Sequence, residues 1–550
     1  MKESSYDLTF VGSGIACTYT IIHFINLLEQ LPLNQKVRIL VIDKEDEFWS
    51  GIAYGKRSGF NSLIISSLKE FLPGDELELF KTWLSQNISW VFKDFQERNG
   101  KLSSDWLESN KKLISNNDWD ELYLPRYIFG YFLRERVTVL LESAVKRNLL
   151  DYKLLKADVT DIQKNEAFYK ITARDSFSNQ LEIESGKVIL SMGSPPKKSL
   201  NTFKKDNFLS GVSLIEDLYQ PKLEDNINEI HETLKKSANK DHNNILIVGS
   251  NASALEAAYN IMDIQGLGDL INRFYFLSRD GVFPYRISRS EIDLNDYKPI
   301  TLIALKESSR ITSKQILEAV KMDVELAKIN NINVADIICH MSNAINVLLA
   351  KLSLHEQKRF AIKYGVEIGK FQRRAGKEYR DAVDNLSLVN KLENLTGKFV
   401  RMVYQEGESV HVEYIETHTL ERKTFTTPVK CIINCSGFED LAISSSFDLI
   451  RSLIINNICK INNSKRGFEV NKNFEANENF FVIGPLLAGN IYKKRMIWHV
   501  ESCTRIFYLS IELAEVLLNI CKSTNSGFPL KTISAFYGLT ENTRLKYKTV

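Results

Sequence analysis

The segment DLTFVGSGIAC, residues 7–17, joins a short apolar strand to a glycine turn and to an apolar stretch that continues to about Leu31. A second apolar run follows at Val37 to Ile42. A strand, a glycine turn, a helix and a second strand in this order form the βαβ unit that binds dinucleotides. Cys17 stands where the helix must pack closely on the strand, a position that requires a small residue. The turn residues that we expect to contact a cofactor are Gly12, Ser13, Gly14, Ile15, Ala16 and Cys17.

A carboxylate ends the second apolar run, at residues 41–43, VID. The acidic residue at this place typically accepts a hydrogen bond from a ribose hydroxyl. We therefore expect Asp43 and its neighbour Lys44 to contact the cofactor. On these residues alone, an ordinary helix that begins with glycine is the alternative interpretation.

A second glycine turn occurs in NILIVGSNASALE, residues 244–256, where Asn251 replaces the second glycine. Asparagine adopts left-handed backbone more readily than most residues, so the turn stays plausible. The next apolar run ends in Ser278 and Arg279, where an NAD-selective site usually has a carboxylate. A hydroxyl and a guanidinium suit a 2′-phosphate and favour NADPH, while a plain surface arginine is the alternative. The predicted contacts of the second nucleotide are Gly249, Ser250, Asn251, Ala252, Ser253, Ser278 and Arg279.

Composition and charge narrow the class of protein. The chain has 71 Lys and Arg against 68 Asp and Glu, which gives no case for nucleic acid or an anionic membrane as a partner. No apolar run of about 18 residues occurs, and the first turn lies too near the N-terminus to leave room for a signal sequence. We therefore expect a cytoplasmic protein. The seven cysteines are scattered without metal-ligand spacing, which is typical of reduced buried thiols and predicts no metal site.

Further short segments stand in order along the chain: WSGIAYG at 49–55 with Asn61 behind it, PRYIFGYFL at 125–133, SMGSP at 191–195, SRDGVFP at 278–284, NCSG at 434–437 and IGP at 483–485. Their order and spacing resemble the FAD/NAD(P)-binding oxidoreductases related to class B flavin-dependent, N-hydroxylating monooxygenases. SALE at 253–256 is similar to the nucleotide turn of that class, whereas FLSGVS at 208–213 lacks the histidine of the flavin-containing monooxygenase fingerprint.

The resemblance implies FAD at the first turn and NADPH at the second. It adds these residues to the expected cofactor contacts: Gly51, Ala53, Tyr54, Asn61, Arg126, Gly193, Gly437, Gly484 and Pro485.

Two turns in one chain of 550 residues predict an α/β fold with two Rossmann-like dinucleotide-binding domains and a helical segment. Between residues 60 and 112 we expect irregular structure with short helices. The expected parts are an FAD-binding domain from 1–200 and 399–500, an inserted NADPH-binding domain from 240–300, a helical cap from 301–398, and a C-terminal helix and tail from 501–550.

The resemblance also implies the chemistry of an oxidoreductase. NADPH would pass hydride to the flavin, and oxygen would add to the reduced ring in a dry pocket to form a flavin hydroperoxide. The implied reaction is N-hydroxylation, with a small amine or amino acid and molecular oxygen as the small-molecule partners. The sequence leaves the oligomeric state open.

Other functions are compatible with the same turns. An NADPH-dependent reductase or oxidase would insert no oxygen, and a non-catalytic flavin-binding protein would tolerate Cys17 and Asn251 in the turns. A dithiol reductase is disfavoured, because Cys431 and Cys435 lie four apart on a predicted strand, where their thiols are too distant to pair readily.

Fewer residues of the sequence indicate where a substrate would bind. Arg373 and Arg374 fall in the helical segment, and arginine forks bind carboxylates at two points, although a solvated basic helix face is an equal alternative. The resemblance implies that the segment IGP at 483–485 faces the flavin ring. His499 follows this segment and is the third predicted catalytic residue, with a structural role as its alternative. The neighbouring side chains that could also reach the substrate are Lys493, Lys494, Arg495 and Trp498.

Overall fold

The computed structural model describes residues 5–30, 36–98, 100–200, 211–287, 297–404, 409–442, 447–493, 495–500 and 502–523. Lys494, residues 208–210 and the predicted tail from 524 onward lie outside the described residues.

The strands are β1 Tyr6–Val11, β2 Val37–Asp43, β3 Leu150–Lys156, β4 Asp158–Lys164, β5 Tyr169–Arg174, β6 Gln180–Leu190, β7 Ser213–Ile215, β8 Asn244–Val248, β9 Arg273–Ser278, β10 Tyr285–Arg286, β11 Arg374–Ala375, β12 Leu392–Tyr404, β13 Val410–Glu416, β14 Arg422–Val429, β15 Cys431–Asn434, β16 Glu475–Asn477, β17 Phe480–Val482, β18 Asn490–Tyr492 and β19 Arg495–Ile497.

The helices are α1 Ile15–Leu28, α2 Gly51–Tyr54, α3 Leu68–Phe71, α4 Gly74–Arg98, α5 Lys101–Ser115, α6 Arg126–Lys146, α7 Leu223–Lys235, α8 Ala252–Asp263, α9 Leu267–Leu270, α10 Ile300–Leu305, α11 Ser313–Ile329, α12 Val334–Leu349, α13 Leu354–Arg359, α14 Gly365–Phe371, α15 Lys377–Leu388, α16 Asp448–Ile455 and α17 Cys503–Ser523.

The first glycine turn follows a central strand of the first sheet. The strand order is β16-β17-β6-β1-β2-β3, in which β17, β6, β1, β2 and β3 run parallel. Phe10 lies opposite both Val41 and Ile189, and all three side chains are buried. These strands read as apolar runs rather than alternating patterns because a parallel sheet is covered on both faces. Helices α1 and α17 pack against each other in this unit.

The second glycine turn follows β8 in a second sheet of order β14-β13-β12-β9-β8-β15-β7. The strands β12, β9, β8, β15 and β7 are parallel, and β13 and β14 add an antiparallel edge. Two parallel sheets, each with a strand, a glycine turn and a helix at its centre, confirm the predicted α/β fold with two Rossmann-like units.

The second sheet takes strands from outside the range 240–300. Strands within 399–434, which the sequence assigned to the first domain, are hydrogen-bonded in the second sheet, as is β7. The long strand β12 pairs in parallel with β9 and then antiparallel with β13. Parallel neighbours need a crossover connection, and the helical segment between β9 and β12 provides it.

The helices between β9 and β12 pack around a core of their own, which we call the helical lobe, residues 300–388. Its buried side chains include Ile316, Val320, Ile337 and Met341. Trp498, from the chain after β19, packs against this core. The lobe is therefore attached to the chain that follows β19 as well as to the second sheet.

The expectation of irregular structure between residues 60 and 112 is wrong, because α4 and α5 occupy most of it. Leu77, Phe80 and Leu84 recur at helical spacing and bury one face of α4. Phe80 packs edge-on against Phe129 of α6 at 5.2 Å between ring centroids. Trp83 and Trp90 also lie two helical turns apart on α4, with their rings edge-on at 6.1 Å between centroids.

Candidate dinucleotide-binding sites

The first turn requires glycine at position 12 for two reasons. Gly12 has φ +96°, and a Cβ there would lie 2.6 Å from both the Met192 Cα and the Ser191 carbonyl oxygen. The Ser191 hydroxyl also donates to the Gly12 carbonyl at 2.6 Å. The turn is therefore packed against the end of β6.

The segment Trp49 to Gly51 lies on the same turn. The Trp49 amide donates to the Ser13 carbonyl at 3.0 Å, and Gly51 has φ +59°. A Cβ on Gly51 would stand 2.9 Å from the Gly14 Cα, which leaves no room for a side chain. The N-terminal ends of α1 and α2 meet here, with backbone amides suited to a pyrophosphate.

Asp43 is bonded to the turn. Its Oδ2 accepts from the Ser13 amide and hydroxyl, each at 2.7 Å, and its Oδ1 accepts from the Glu45 amide at 3.0 Å. The carboxylate therefore orders the turn, and its contact with a ribose stays a prediction. Lys44 is exposed, and its Nζ lies 5.7 Å from the Phe447 ring centroid.

Cys17 fits the third turn position because it is fully buried. Burial, reinforced by the Asp43 carboxylate, raises the pKa of this thiol well above its usual value. The thiol also has a hydrogen bond with Ser191. Cys17 is thus a neutral packing residue, and the cysteine does not distort the turn.

Three more predicted flavin contacts gather at the same end of the first sheet. The Ile483 amide donates to the Leu190 carbonyl at 3.0 Å, which brings Gly484 and Pro485 to the end of β6. A Cβ on Gly484 would lie 3.6 Å from the Ala16 Cβ. Gly193 has φ +85° and open space where a side chain would be, as a close approach by a ligand requires.

Ala53 and Tyr54 belong to the short helix α2. Ala53 is exposed, whereas the Tyr54 ring packs edge-on against Phe129 at 5.1 Å. Burial raises the pKa of Tyr54 well above its usual value, and its hydroxyl has a hydrogen bond with Cys503. Tyr54 therefore joins α2 to α6 and α17.

The second turn has the same construction. Gly249 has φ +124°, and a Cβ there would lie 2.3 Å from the Cys435 carbonyl oxygen. The Ser250 hydroxyl donates to the Val282 carbonyl at 2.7 Å. Asn251 begins α8 with φ −83°, so the left-handed backbone invoked for this residue is wrong. Gly14, at the matching place in the first turn, is also extended, so this position restricts side-chain bulk rather than φ.

The remaining predicted contacts of the second nucleotide surround this turn. Ala252 and Ser253 form the first turn of α8, and Ser253 has a side-chain hydrogen bond with Cys435. The Ser278 hydroxyl accepts from the Gly281 amide at 3.1 Å, and Arg279 is exposed. Gly437 has φ +100° with open space at its Cβ position.

Two residues that stay predicted as cofactor contacts lie where the two units meet. Arg126 forms a two-point ion pair with the buried Glu256, at 2.6 and 2.9 Å. Asn61 donates to Asp263 at 2.7 Å. Glu256 belongs to the SALE segment, and no local sequence pattern indicates its pairing with Arg126 because the two residues are 130 positions apart.

The predicted catalytic arginines do not stand on a helix. They lie at β11, between α14 and α15, where the Tyr285 amide donates to the Arg373 carbonyl at 2.9 Å. The Arg374 guanidinium is paired with Glu70 at 2.7 Å. Lys493 is likewise paired with Glu512 at 2.7 Å. The suggestion of a free arginine fork therefore does not hold for Arg374.

His499 is mostly buried beside Trp498, with 3.8 Å between the ring centroids. Burial, together with Arg505 and Arg466, lowers the pKa of His499 to about 2. The imidazole is therefore neutral near pH 7. As the Arg505 guanidinium donates to the His499 carbonyl at 2.6 Å, the backbone here is also fixed.

A match to a protein-family model agrees with the geometry of the first glycine turn. Residues 9–195 match a family model described as FAD-NAD(P)-binding. With a second dinucleotide turn in the same chain, this defines an FAD-dependent NAD(P)H oxidoreductase, whose cofactors are FAD and a nicotinamide dinucleotide.

The chain belongs to the family of the uncharacterized proteins Rv3403c of Mycobacterium tuberculosis and Mb3437c of Mycobacterium bovis. It is 31% identical to each over 516 residues, which cover 94% of this chain and 95% of either relative. Its fold is similar to that of the FAD-bound cadaverine monooxygenase DfoA of Erwinia amylovora, with a TM-score of 0.50 and 12% identity. That match covers 97% of this chain and 98% of DfoA, and it is a likeness of fold. Within the described ranges, no helix is long and apolar enough to cross a membrane.

Proposed function

We propose that the protein is an FAD-dependent monooxygenase that uses NADPH and molecular oxygen to hydroxylate the nitrogen of a small amine or amino acid. The observation that carries the proposal is that two complete dinucleotide turns belong to units joined by the buried Arg126–Glu256 pair. A nicotinamide donor and a flavin acceptor can therefore serve one reaction centre.

The first turn fits FAD. The backbone has no side chains at the point where α1 and α2 begin, because these positions are Gly12, Gly14 and Gly51. Gly193, at the end of β6, has open space at its Cβ position. These residues would hold the pyrophosphate and the approach to the ring. When bound, FAD supplies the redox chemistry, accepting hydride and reacting with oxygen, and the protein supplies orientation and a dry site.

The second turn fits a phosphorylated nicotinamide dinucleotide. Arg279 follows β9 with its guanidinium exposed and without an ion pair among the described residues. A guanidinium at this place suits the 2′-phosphate of NADPH. The amides at the start of α8 would take the pyrophosphate, because a helix N-terminus favours anions.

The helical lobe can limit access of water to the flavin side. The Trp498 indole lies on α14 so closely that a Cβ at Gly365 would be 2.7 Å from its Cγ. Arg466 donates to the Trp498 carbonyl and also to the Ala361 carbonyl, the latter at 2.9 Å. The lobe is thus fastened to the segment that follows Gly484, and a site between them can be kept dry.

The thiols of the chain support an oxygen-using reaction over dithiol chemistry. Cys431 begins β15 of the second sheet and Cys435 follows the end of that strand, and burial raises the pKa of Cys435 to about 11. A thiol that stays protonated is a poor nucleophile.

The test is anaerobic mixing of the FAD-loaded protein with NADPH, followed by oxygenated buffer and a panel of diamines and amino acids. We expect NADPH to bleach the flavin, reoxidation to be delayed, and one class of amine to yield a hydroxylamine in proportion to NADPH consumed. Immediate reoxidation without product would indicate a reductase or oxidase. Failure of NADPH to bleach the flavin would refute the proposal.

A further inference from the structure

The N-terminus of α6 and the helix of the second nucleotide turn are joined by a buried ion pair. The two guanidinium nitrogens of Arg126 donate to the two carboxylate oxygens of Glu256, at 2.9 and 2.6 Å. The side chains are 12% and 5% exposed. Glu256 stands little more than one helical turn beyond Asn251, close to the pyrophosphate end of α8.

Oε1 of Glu256 accepts two further hydrogen bonds, one from its own unit and one from the first unit. The Tyr219 hydroxyl donates to Oε1 at 2.6 Å, and the Ser62 hydroxyl donates to the same oxygen at 3.1 Å. The Asn260 amide, one turn further along α8, donates to the Ser62 hydroxyl at 3.1 Å. Two successive turns of α8 are therefore fixed to the first unit.

Two cationic side chains lie close to the Tyr219 ring. The Arg126 guanidinium lies 5.6 Å from its ring centroid and the Lys197 ammonium 5.4 Å. Its carbonyl accepts from the Arg57 Nε at 3.2 Å. Tyr219 lies between β7 and α7 of the second unit, so the contact of its carbonyl with Arg57 is a further link from that unit to the first.

A buried ion pair is weak evidence of a role in stability, because apolar side chains of similar volume often stabilise a protein equally well. A two-point pair between arginine and a carboxylate fixes the angle and the distance between the two structural elements that it joins. Reactions between two bound groups are sensitive to such geometry, since small misplacements cause large losses of rate.

We propose that Arg126, Glu256 and Tyr219 are positioning residues, which hold the second nucleotide turn at the orientation that hydride transfer to the flavin requires. This inference rests on the proposed reduction of FAD by NADPH. The three residues act through α8 and the first turn of α6.

The test is a double variant that removes both charges together, R126M/E256L, because a single change would leave one buried charge without a partner. The matched control is R401M/E413L, which removes the two-point pair between β12 and β13, with 2.9 Å for both contacts. Each protein is measured for FAD content, NADPH affinity, the rate of anaerobic flavin reduction, and backbone amide exchange of the cofactor-free protein over residues 252–263.

For the double variant we expect flavin reduction to slow by about 10-fold or more, while NADPH affinity changes by less than about 3-fold. Amide exchange over 252–263 should rise, and the control should match the wild type in all four measurements. R126K, which keeps the charge but loses the fork, should recover part of the rate.

Unchanged reduction and exchange in the double variant would overturn the inference, as would a loss of NADPH affinity equal to the loss of rate. If the double variant does not fold, Y219F takes its place, and an unaltered rate of reduction in Y219F would overturn the inference. If NADPH fails to reduce the wild type, the proposed function is refuted, and unchanged amide exchange still counts separately against the positioning role.

Discussion

Gly51 lies with its backbone against Gly14, so close that a Cβ on Gly51 would stand 2.9 Å from the Gly14 Cα. This contact brings the N-terminus of α2 onto the first glycine turn. It brings together two sequence segments that are 37 positions apart.

The change G51A should weaken FAD binding. Alanine at φ +59° costs roughly 1–2 kcal/mol, and the clash with Gly14 adds to it, so we expect at least about 10-fold weaker binding. Flavin retained after gel filtration gives the measurement. G74A is the control, because Gly74 begins α4 with no atom within 4 Å of its Cβ position. A full equivalent of FAD in G51A would contradict this account.

The α/β fold could be predicted from the sequence because each glycine turn follows an apolar strand and precedes a helix. The strand partners could not be predicted. Leu392 pairs with Phe274 across more than 100 residues, and no local pattern encodes that pairing. The helices between them read as a separate cap, since a crossover connection of this length contains a core of its own.

The two turns were also visible in the sequence, whereas the role of Arg126 was not. Its block suggested a cofactor contact, but the guanidinium reaches Glu256 in the other unit. Similarly, Arg374 read as a substrate fork and is paired with Glu70. Which charge meets which depends on tertiary contacts, so the sequence identified the charged residues without their partners.

The change R279A should discriminate between the two nicotinamide dinucleotides. Loss of a guanidinium–phosphate contact at an exposed site should raise the KM for NADPH about 10-fold. The KM for NADH should change by less than about 2-fold, because NADH has no 2′-phosphate. Steady-state oxidation of both dinucleotides measures this, with R310A, another exposed arginine, as the control. Equal effects on NADPH and NADH would count against Arg279 as the phosphate contact.

The change N251D should have opposite effects on stability and on nucleotide binding. An aspartate at the start of α8 interacts favourably with the helix dipole, so thermal stability should hold or rise slightly. The same charge should repel the pyrophosphate and weaken NADPH binding by about 10-fold. N251S, a neutral polar residue at the same position, is the matched control. NADPH affinity that is equal in N251D and N251S would place the pyrophosphate elsewhere.

The buried His499 gives a prediction for pH. Its folded pKa of about 2 lies below the unfolded value of about 6.5, so the unfolded state takes up a proton first as pH falls. Stability from the neutral histidine is complete above pH 6.5 and is lost progressively below it. At pH 5 the loss should be about 2 kcal/mol.

The change H499Q should remove that loss. Urea unfolding at pH 7.5 and pH 5 should show a smaller difference for H499Q than for the wild type. Because the imidazole stays neutral throughout the working range, the shape of the pH profile of flavin reduction should be the same in both proteins. If an ionisation near pH 7 disappears from that profile in H499Q, then His499 acts as an acid or base, and burial does not keep it neutral in the loaded enzyme.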